Sequence, residues 1–457
     1  MAQLTTGTLT SYPARVSFAA YVLTILIGGF LLTLPVARQP DRPPVSLVDG
    51  LFTATSACCV TGLAVRSTPH DFSFFGQGVI LVLIQVGGLG IMTIATLAAF
   101  QIGGQASLRQ QAVVAETLGI KAGKNLRSVA IAVFLVVACA ELIGFVLLVW
   151  ATWGRGSPGE VLWWSAFHSV SAFCNAGFSL ADDSLVGFVA NVPVNAVIAS
   201  LIVVGGIGFP VILDIASRGR QGHNVWQRLS VHSKLMLVGT ALLVAVGAIS
   251  FWVFERDGVL ADEPLATRIL AGLFHSVTCR TAGFNTVDYA LLANPTLFIA
   301  IILMAIGAGP ASTGGGFKVS TFMTLLVSSW ASFRGLPRAN FCRRTISSSA
   351  IRRATATTLL FGAVAMVALV ALLSVESGGD AAERPRWFLE ALFECTSALG
   401  TVGLSTGITP VLTDAGKIVL MGLMFLGRLG PLTAAVALSR QRTPYQPEYL
   451  EEEPLVG

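Results

Sequence analysis

The stretch Leu51-Phe-Thr-Ala-Thr-Ser-Ala-Cys-Cys-Val-Thr-Gly-Leu63 decides the fold, because the chain holds it four times. The second copy is Ala166-Phe-His-Ser-Val-Ser-Ala-Phe-Cys-Asn-Ala-Gly-Phe178. The third, one residue shorter, is Leu273-Phe-His-Ser-Val-Thr-Cys-Arg-Thr-Ala-Gly-Phe284, and the fourth is Leu392-Phe-Glu-Cys-Thr-Ser-Ala-Leu-Gly-Thr-Val-Gly-Leu404. Each is a short apolar segment ending in a small or polar pair, then glycine, then Leu or Phe. The glycines Gly62, Gly177, Gly283 and Gly403 stand 115, 106 and 120 residues apart. Self-similarity of this kind means the fold is assembled from repeated units.

Around each copy the pattern is the same: a long apolar run, the short segment, a turn, and a second long run. The units cover 16–100, 129–213, 234–330 and 354–438, with 1–15 and 439–457 as terminal segments. The short segments, Pro44–Cys58, Gly159–Phe173, Pro264–Cys279 and Pro385–Leu399, fall below the ~20 residues needed to cross a bilayer. They read as half-helices that enter and return. Val192–Leu213 reads as one continuous crossing. Of the 457 residues, 54% are hydrophobic and 12% charged, against roughly 25% charged in a soluble domain. A soluble enzyme is excluded. The expected architecture is an all-α polytopic membrane protein. It has four span–pore-helix–filter–span units in pseudo-fourfold arrangement around one ion pore, with eight full spans. Irregular backbone at membrane depth survives only where protein covers it or water reaches it.

Charge fixes the orientation. Seventeen of the 29 Lys and Arg, but six of the 24 carboxylates, fall on the side of the termini. The positive-inside rule makes that side cytoplasmic. The opposite face carries a net negative charge, which favours cations at its mouth.

A dehydrated cation needs its water oxygens replaced, and rings of backbone carbonyls can replace them. Turning successive carbonyls to one side requires alternation with left-handed backbone, which glycine accepts. Val60-Thr61-Gly62, Asn175-Ala176-Gly177, Thr281-Ala282-Gly283 and Thr401-Val402-Gly403 meet that need four times over. Close helix packing through small residues is the alternative. A second glycine set begins 25, 28, 24 and 24 residues downstream, at Gly87, Gly205, Gly307 and Gly427. It reads as close packing or a bend.

The third unit departs from the others. Gly307-Ala-Gly-Pro-Ala-Ser-Thr-Gly-Gly-Gly316 cannot hold a regular helix, and it lacks the Lys-Ser/Thr pair of a phosphate-binding loop. It reads as a mobile loop under the filter (308–316, with Gly309, Ser312, Thr313, Gly314, Gly315 and Gly316), or else as a fixed kink. Arg428 stands where the first two units have Gly88 and Gly206, and an arginine inside a span is a functional candidate. It is expected to hold carbonyls of this loop, with pairing to Glu141 as the alternative. Lys318 suits a pore role and interfacial snorkelling equally. His168 and His275 occupy matching places, read as the start of the half-helices. Local hydrogen bonding is expected of them, with a metal or proton relay as the alternative. Glu390 and Glu394 are expected near the outer mouth. The buried-type cysteines lack metal-ligand spacing.

Leu51–Leu63, Leu83–Thr96, Arg280–Asp288 and the 307–321 region resemble the Trk/Ktr/HKT superfamily of potassium transporters, most of all the membrane subunits of bacterial Ktr systems. The resemblance spans nearly the whole chain. It implies a homodimer in the bacterial cytoplasmic membrane with a pore in each protomer and both termini cytoplasmic. Potassium would be the translocated ion, sodium also being possible, and uptake would be sodium-stimulated. A KtrA-like cytosolic nucleotide-binding ring would regulate it, so ATP or ADP would act only through that partner; nucleic acid has no part. The filter residues, the 308–316 gating loop and the latch Arg428 fall on the positions already named. Asn175-Ala176 departs from the Thr or Ser expected there, which leaves ion preference open. A secondary carrier is the rival reading. Its usual two inverted repeats contrast with four repeats of one orientation.

Overall fold

The computed structural model describes residues 13–90, 126–219, 225–378 and 383–430. Residues 1–12, the basic linker with Arg109, Lys121 and Lys124, the later parts of the runs Phe75–Phe100 and Thr413–Leu438, and the segment 439–457 lie outside the described residues. The described chain is mostly helical. The first repeat comprises α1 (Pro13–Thr33), α2 (Leu47–Cys58) and α3 (Phe74–Leu89). The second comprises α4 (Leu126–Thr152), α5 (Pro158–Cys174), α6 (Val192–Ile207) and α7 (Phe209–Gly219). The third comprises α8 (Val231–Phe254), α9 (Leu265–Thr278), α10 (Asn294–Ala305) and α11 (Val319–Phe333). A small hairpin, β1 (Asn340–Phe341) and β2 (Arg344–Thr345), precedes α12 (Ser348–Val375), α13 (Trp387–Gly400) and α14 (Asp414–Leu429).

Side-chain caps start many of these helices, as the orphan N–H groups of a first turn require. Ser46 accepts from Asp49 N at 3.0 Å. Ser157 and Glu160 form a reciprocal capping box, with Pro158 in the first turn.

Three described helices are long and apolar enough to cross a membrane unaided: Ile131–Thr152, Val231–Phe254 and Ser348–Val375. Leu26, Phe30, Leu142, Ile249, Leu359 and Val367 are exposed on the outer surface. Contiguous apolar surface of this kind belongs against lipid.

Val192–Leu213 is not one straight crossing. It breaks at Gly208 into α6 and α7, which meet at 93°. Gly208 has φ +98°, and Pro210 has no N–H to continue the ladder. The freed Phe209 N–H donates instead to Ala311 O at 3.0 Å. The other break falls where the glycines require it, between Ala305 and Val319.

The helices close a ring. α3 packs on α5, α6 on α9, α10 on α13, and α14 returns to α2. The closing joint also carries charge: Asp49 on α2 takes Lys417 Nζ of α14 at 2.8 Å and Arg66 Nε at 2.9 Å.

Candidate functional site

The half-helices α2, α5, α9 and α13 all end at the centre of this ring, and each hands over to a hairpin of the same shape. Val60, Asn175, Thr281 and Thr401 have φ of 57°, 59°, 69° and 50°, and Gly62, Gly177, Gly283 and Gly403, two residues later, have 98°, 71°, 78° and 93°. Alternation was expected, but through the glycines alone. A non-glycine residue in the left-handed region is strained by about 1–3 kcal/mol, and a β-branched one is a true outlier. Four equivalent residues held this way mean that the surroundings impose the shape.

The hairpins touch in sequence. A Cβ on Gly62 would collide with Ala176 O, and on Gly283 with Val402 O; on Gly403 it would collide with Thr61 O. On Gly177 it would stand 2.9 Å from Ala282 O. The carbonyl before each glycine therefore lies against the glycine of its neighbour, and the circuit closes on itself. All twelve residues of the four triplets are buried or nearly so.

A row of hydroxyls shapes these hairpins, one per copy, and it was overlooked in the sequence although the repeat displays it. Ser56 accepts from Gly62 N and Ser397 from Gly403 N, each at 3.0 Å. Ser171 donates to Phe178 O at 2.8 Å, and Thr278 to Phe284 O at 2.6 Å. Thr61 Oγ1 and Thr401 Oγ1 are buried without a hydrogen-bond partner. The Asn175 amide satisfies more groups with its nitrogen toward Ala172 O and Ile202 O, at 3.1 and 3.2 Å. Its oxygen then accepts from Thr281 Oγ1.

Directly below lies the 306–318 segment. Its neck is closed by Gly307 N donating to Phe317 O at 2.7 Å. A Cβ on Gly314 would strike Thr281 Oγ1, and one on Gly315 would strike Thr401 Oγ1, so the glycines let the loop press against the hairpins. The loop is laced to the break in the second repeat: Gly309 N donates to Gly206 O at 2.8 Å and Thr313 N to Gly205 O at 3.2 Å. Thr313 Oγ1 donates to Phe173 O at 3.1 Å. Ser312 Oγ caps the turn by donating to Gly309 O at 2.7 Å.

Arg428 reaches this loop. Its guanidinium donates to Thr313 O and to Gly87 O, tying the loop to the first repeat. Glu141 accepts instead from Gln85 Nε2 at 3.2 Å. Lys318 turns inward, not to an interface: Nζ donates to Gly314 O at 2.9 Å and Gly315 O at 3.2 Å. The second glycine set packs closely. A Cβ on Gly87, Gly205 or Gly427 would collide with Cys58 O, Phe173 O or Leu399 O, carbonyls in the last turns of the half-helices.

Several polar residues lie elsewhere than expected. His168 and His275 sit in the later turns of α5 and α9, not at their starts. His168 bonds Trp164 O at 2.8 Å and Ser179 Oγ at 3.0 Å, and His275 bonds Tyr289 OH at 2.8 Å. Glu394, expected near the outer mouth, is fully buried. It accepts from the Ser405 hydroxyl, from Thr406 N at 3.2 Å and from Thr409 Oγ1 at 2.9 Å. Glu390 is held by Arg384 at 3.4 Å. Arg280, just before the third triplet, is buried and donates to Thr240 at 3.2 Å. Among the described residues no group of three His, Cys, Asp or Glu gathers as metal ligands.

Fold and site together define a helical membrane protein whose half-helices converge on one ring of backbone carbonyls. The chain belongs to the TrkH family of cation transport proteins, whose profile matches residues 15–444. It is 38% identical to Ktr system potassium uptake protein B of Vibrio alginolyticus over 445 residues, covering 97% of this chain and 94% of that one. The protein of the same name from Bacillus subtilis is 38% identical, covering 94% and 93%. Potassium/sodium uptake protein NtpJ of Enterococcus hirae is 37% identical over 97% of each chain. The crystal structure of the potassium transporter TrkH from Vibrio parahaemolyticus shares the fold, with a TM-score of 0.71 and 20% identity over 92% of this chain and 83% of that one.

Proposed function

We propose that this chain takes up potassium across the bacterial cytoplasmic membrane through a filter formed by the four triplets, with a 308–316 loop that gates it and an Arg428 that latches the loop. The observation that carries this reading is the closed circuit in which each pre-glycine carbonyl rests on the next glycine. Carbonyl dipoles can stand in for the hydration shell of an alkali cation. The C-terminal ends of four half-helices at the same place add partial negative charge. The unpartnered hydroxyls of Thr61 and Thr401 offer further oxygens.

Eight spans in four units around one pore, with both termini cytoplasmic, fit the repeat and the charge asymmetry. The names of the relatives support potassium as cargo, and the name potassium/sodium uptake protein fits sodium as a further ion. The word "system" in those names fits a further component. We assign that role to a KtrA-like nucleotide-binding ring acting on a homodimer of this chain, so that ATP or ADP acts only in trans.

The test is growth and rubidium uptake at low potassium in a bacterium lacking its own uptake systems, with and without the partner. Partner-dependent uptake is expected. Absence of both potassium and rubidium flux, with the protein present in the membrane, would overturn the reading.

A further inference from the structure

On the side of the basic residues a polar cavity of about 1190 Å³ opens between the β1–β2 hairpin and the start of α8. Its walls carry Arg218, Arg228, Lys234, Arg343 and Arg344, with Trp226 beside them; no carboxylate lines it among the described residues. Asp214 nearby holds Arg218 at 2.6 Å and takes the Ser230 N–H at 2.9 Å. Among the described residues Arg343, Arg344 and Lys234 face the cavity with no carboxylate on its wall. Like charges gathered in one concave space repel one another and raise the local concentration of anions.

The hairpin brings two of these cations to the cavity at a conformational cost. Its central residues, Cys342 and Arg343, have φ of 47° and 63°. A two-residue turn of this hand is ordinarily made by Asn-Gly. Two non-glycine residues there store about 1–3 kcal/mol each, a burden that collects at functional sites. The pairing Asn340–Thr345 and Phe341–Arg344 fixes the register, and Thr345 Oγ1 closes it on Asn340 Oδ1 at 2.8 Å. Lys234, although buried, spends its ammonium on one long bond, 3.4 Å to Gln227 O.

Neighbouring arginine forks match the paired oxygens of a phosphate. The level of the cavity points to where that phosphate comes from. The cavity lies at the first turn of α8, where a 24-residue apolar run begins. Trp226, on its wall, is half exposed, as indole rings are at a membrane surface. Phe333 and Leu336, leading into the hairpin, are exposed as well. We infer that this cavity holds the phosphate-bearing headgroup of an anionic phospholipid from the leaflet on the basic side. Basic pockets of this kind bind such headgroups. The assignment rests on the membrane placement but not on the ion path.

The full-length protein in mild detergent is titrated with short-chain phosphatidylglycerol. Phosphatidylcholine of the same chain length is the neutral control, and inorganic phosphate and ATP are the soluble arms. Thermal unfolding and lipid retained in native mass spectrometry are read without any flux. Phosphatidylglycerol alone is expected to stabilise and stay bound. The double variant Arg343→Gln/Arg344→Gln is expected to bind it roughly tenfold more weakly, as loss of charge-assisted contacts requires. Trp226→Ala is expected to weaken it less, and Arg338→Gln, exposed and outside the cavity, to leave it unchanged. Unchanged retention in the double variant would overturn the proposal. So would saturation by inorganic phosphate or ATP with no response to the lipid, which would make the ligand a soluble anion.

Discussion

The four glycine hairpins and the segments beneath them follow different rules. In the hairpins each repeat does the same thing: a left-handed residue, an intervening one, a glycine, and a hydroxyl six residues before that glycine (five in the shorter third copy). Beneath them the first, second and fourth repeats each end a 16-residue helix at a glycine of positive φ, Gly90, Gly208 and Gly430, and the third does not. The second bends by 93° at Gly208, the third dissolves into the 306–318 loop, and the fourth supplies Arg428. The contrast has a physical logic. On the proposed function, surrounding a spherical ion would ask every repeat for the same oxygens, and the copies would be held alike. Blocking and releasing a path would ask for one movable part and one partner to hold it, and the copies would differ.

The largest test of this contrast is substitution around the ring. Gly62→Ser, Gly177→Ser, Gly283→Ser and Gly403→Ser each force a side chain against the neighbouring carbonyl or close to it, at positive φ. The left-handed strain alone is about 1–2 kcal/mol, and the contact adds to it. Rubidium uptake should fall roughly tenfold or more in all four. If one of the four were tolerated while the others were not, the equivalence of the hairpins would fail.

Next in size is the latch. Hydrogen bonds from a charged donor contribute about 1.5–3 kcal/mol, and Arg428 makes them to Thr313 O and Gly87 O. Arg428→Ala should raise uptake without the regulatory partner by about 10- to 100-fold. Flux that stays partner-dependent and unchanged would remove the latch from the mechanism. A smaller effect is expected at the loop itself. Thr313→Val keeps the side-chain shape and loses only the bond to Phe173 O. A neutral bond is worth about 1 kcal/mol, so partner-independent uptake should rise around fivefold. A change as large as that of Arg428→Ala would mean that the lacing to the second repeat, not the arginine, holds the loop.

The hairpins were legible in the sequence because repetition amplifies a weak signal: one Thr-x-Gly says nothing, whereas four at matching places define a ring. Hydropathy also placed the half-helices, whose lengths are set by where the backbone must turn. It could not register the bend at Gly208, because Phe209-Pro-Val-Ile-Leu213 is as apolar after the turn as before it. Val60 and Thr281 gave no hint of left-handed backbone, since local preference opposes it and only the packed ring imposes it. The burial of Glu394 was not legible, since a carboxylate ordinarily seeks water. Ser405, Thr406 and Thr409, far along the chain from it, satisfy the carboxylate in the interior. Lys318 was undecided for a similar reason, its partners being carbonyls that exist only once the loop has folded.

The smallest expected effects lie in the hydroxyl row, where the four repeats are nearly but not wholly alike. In the first and fourth copies the hydroxyl accepts from the filter glycine N–H, while in the second and third it donates to the carbonyl of the next residue. Ser397→Ala therefore leaves the buried Gly403 N–H without an acceptor, at about 1–3 kcal/mol. Ser171→Ala leaves only Phe178 O without its donor, and an under-satisfied carbonyl is tolerated more readily than an orphaned N–H. Uptake should fall several-fold in Ser397→Ala and less in Ser171→Ala, and the ratio of rubidium to sodium uptake should drop first in the former. Competition of rubidium with sodium, measured for both variants at matched expression, separates the two. Equal effects would mean that the hydroxyls act only as spacers between half-helix and hairpin. The direction of each hydrogen bond, and with it the last inequality among the four repeats, would then have no bearing on which ion passes.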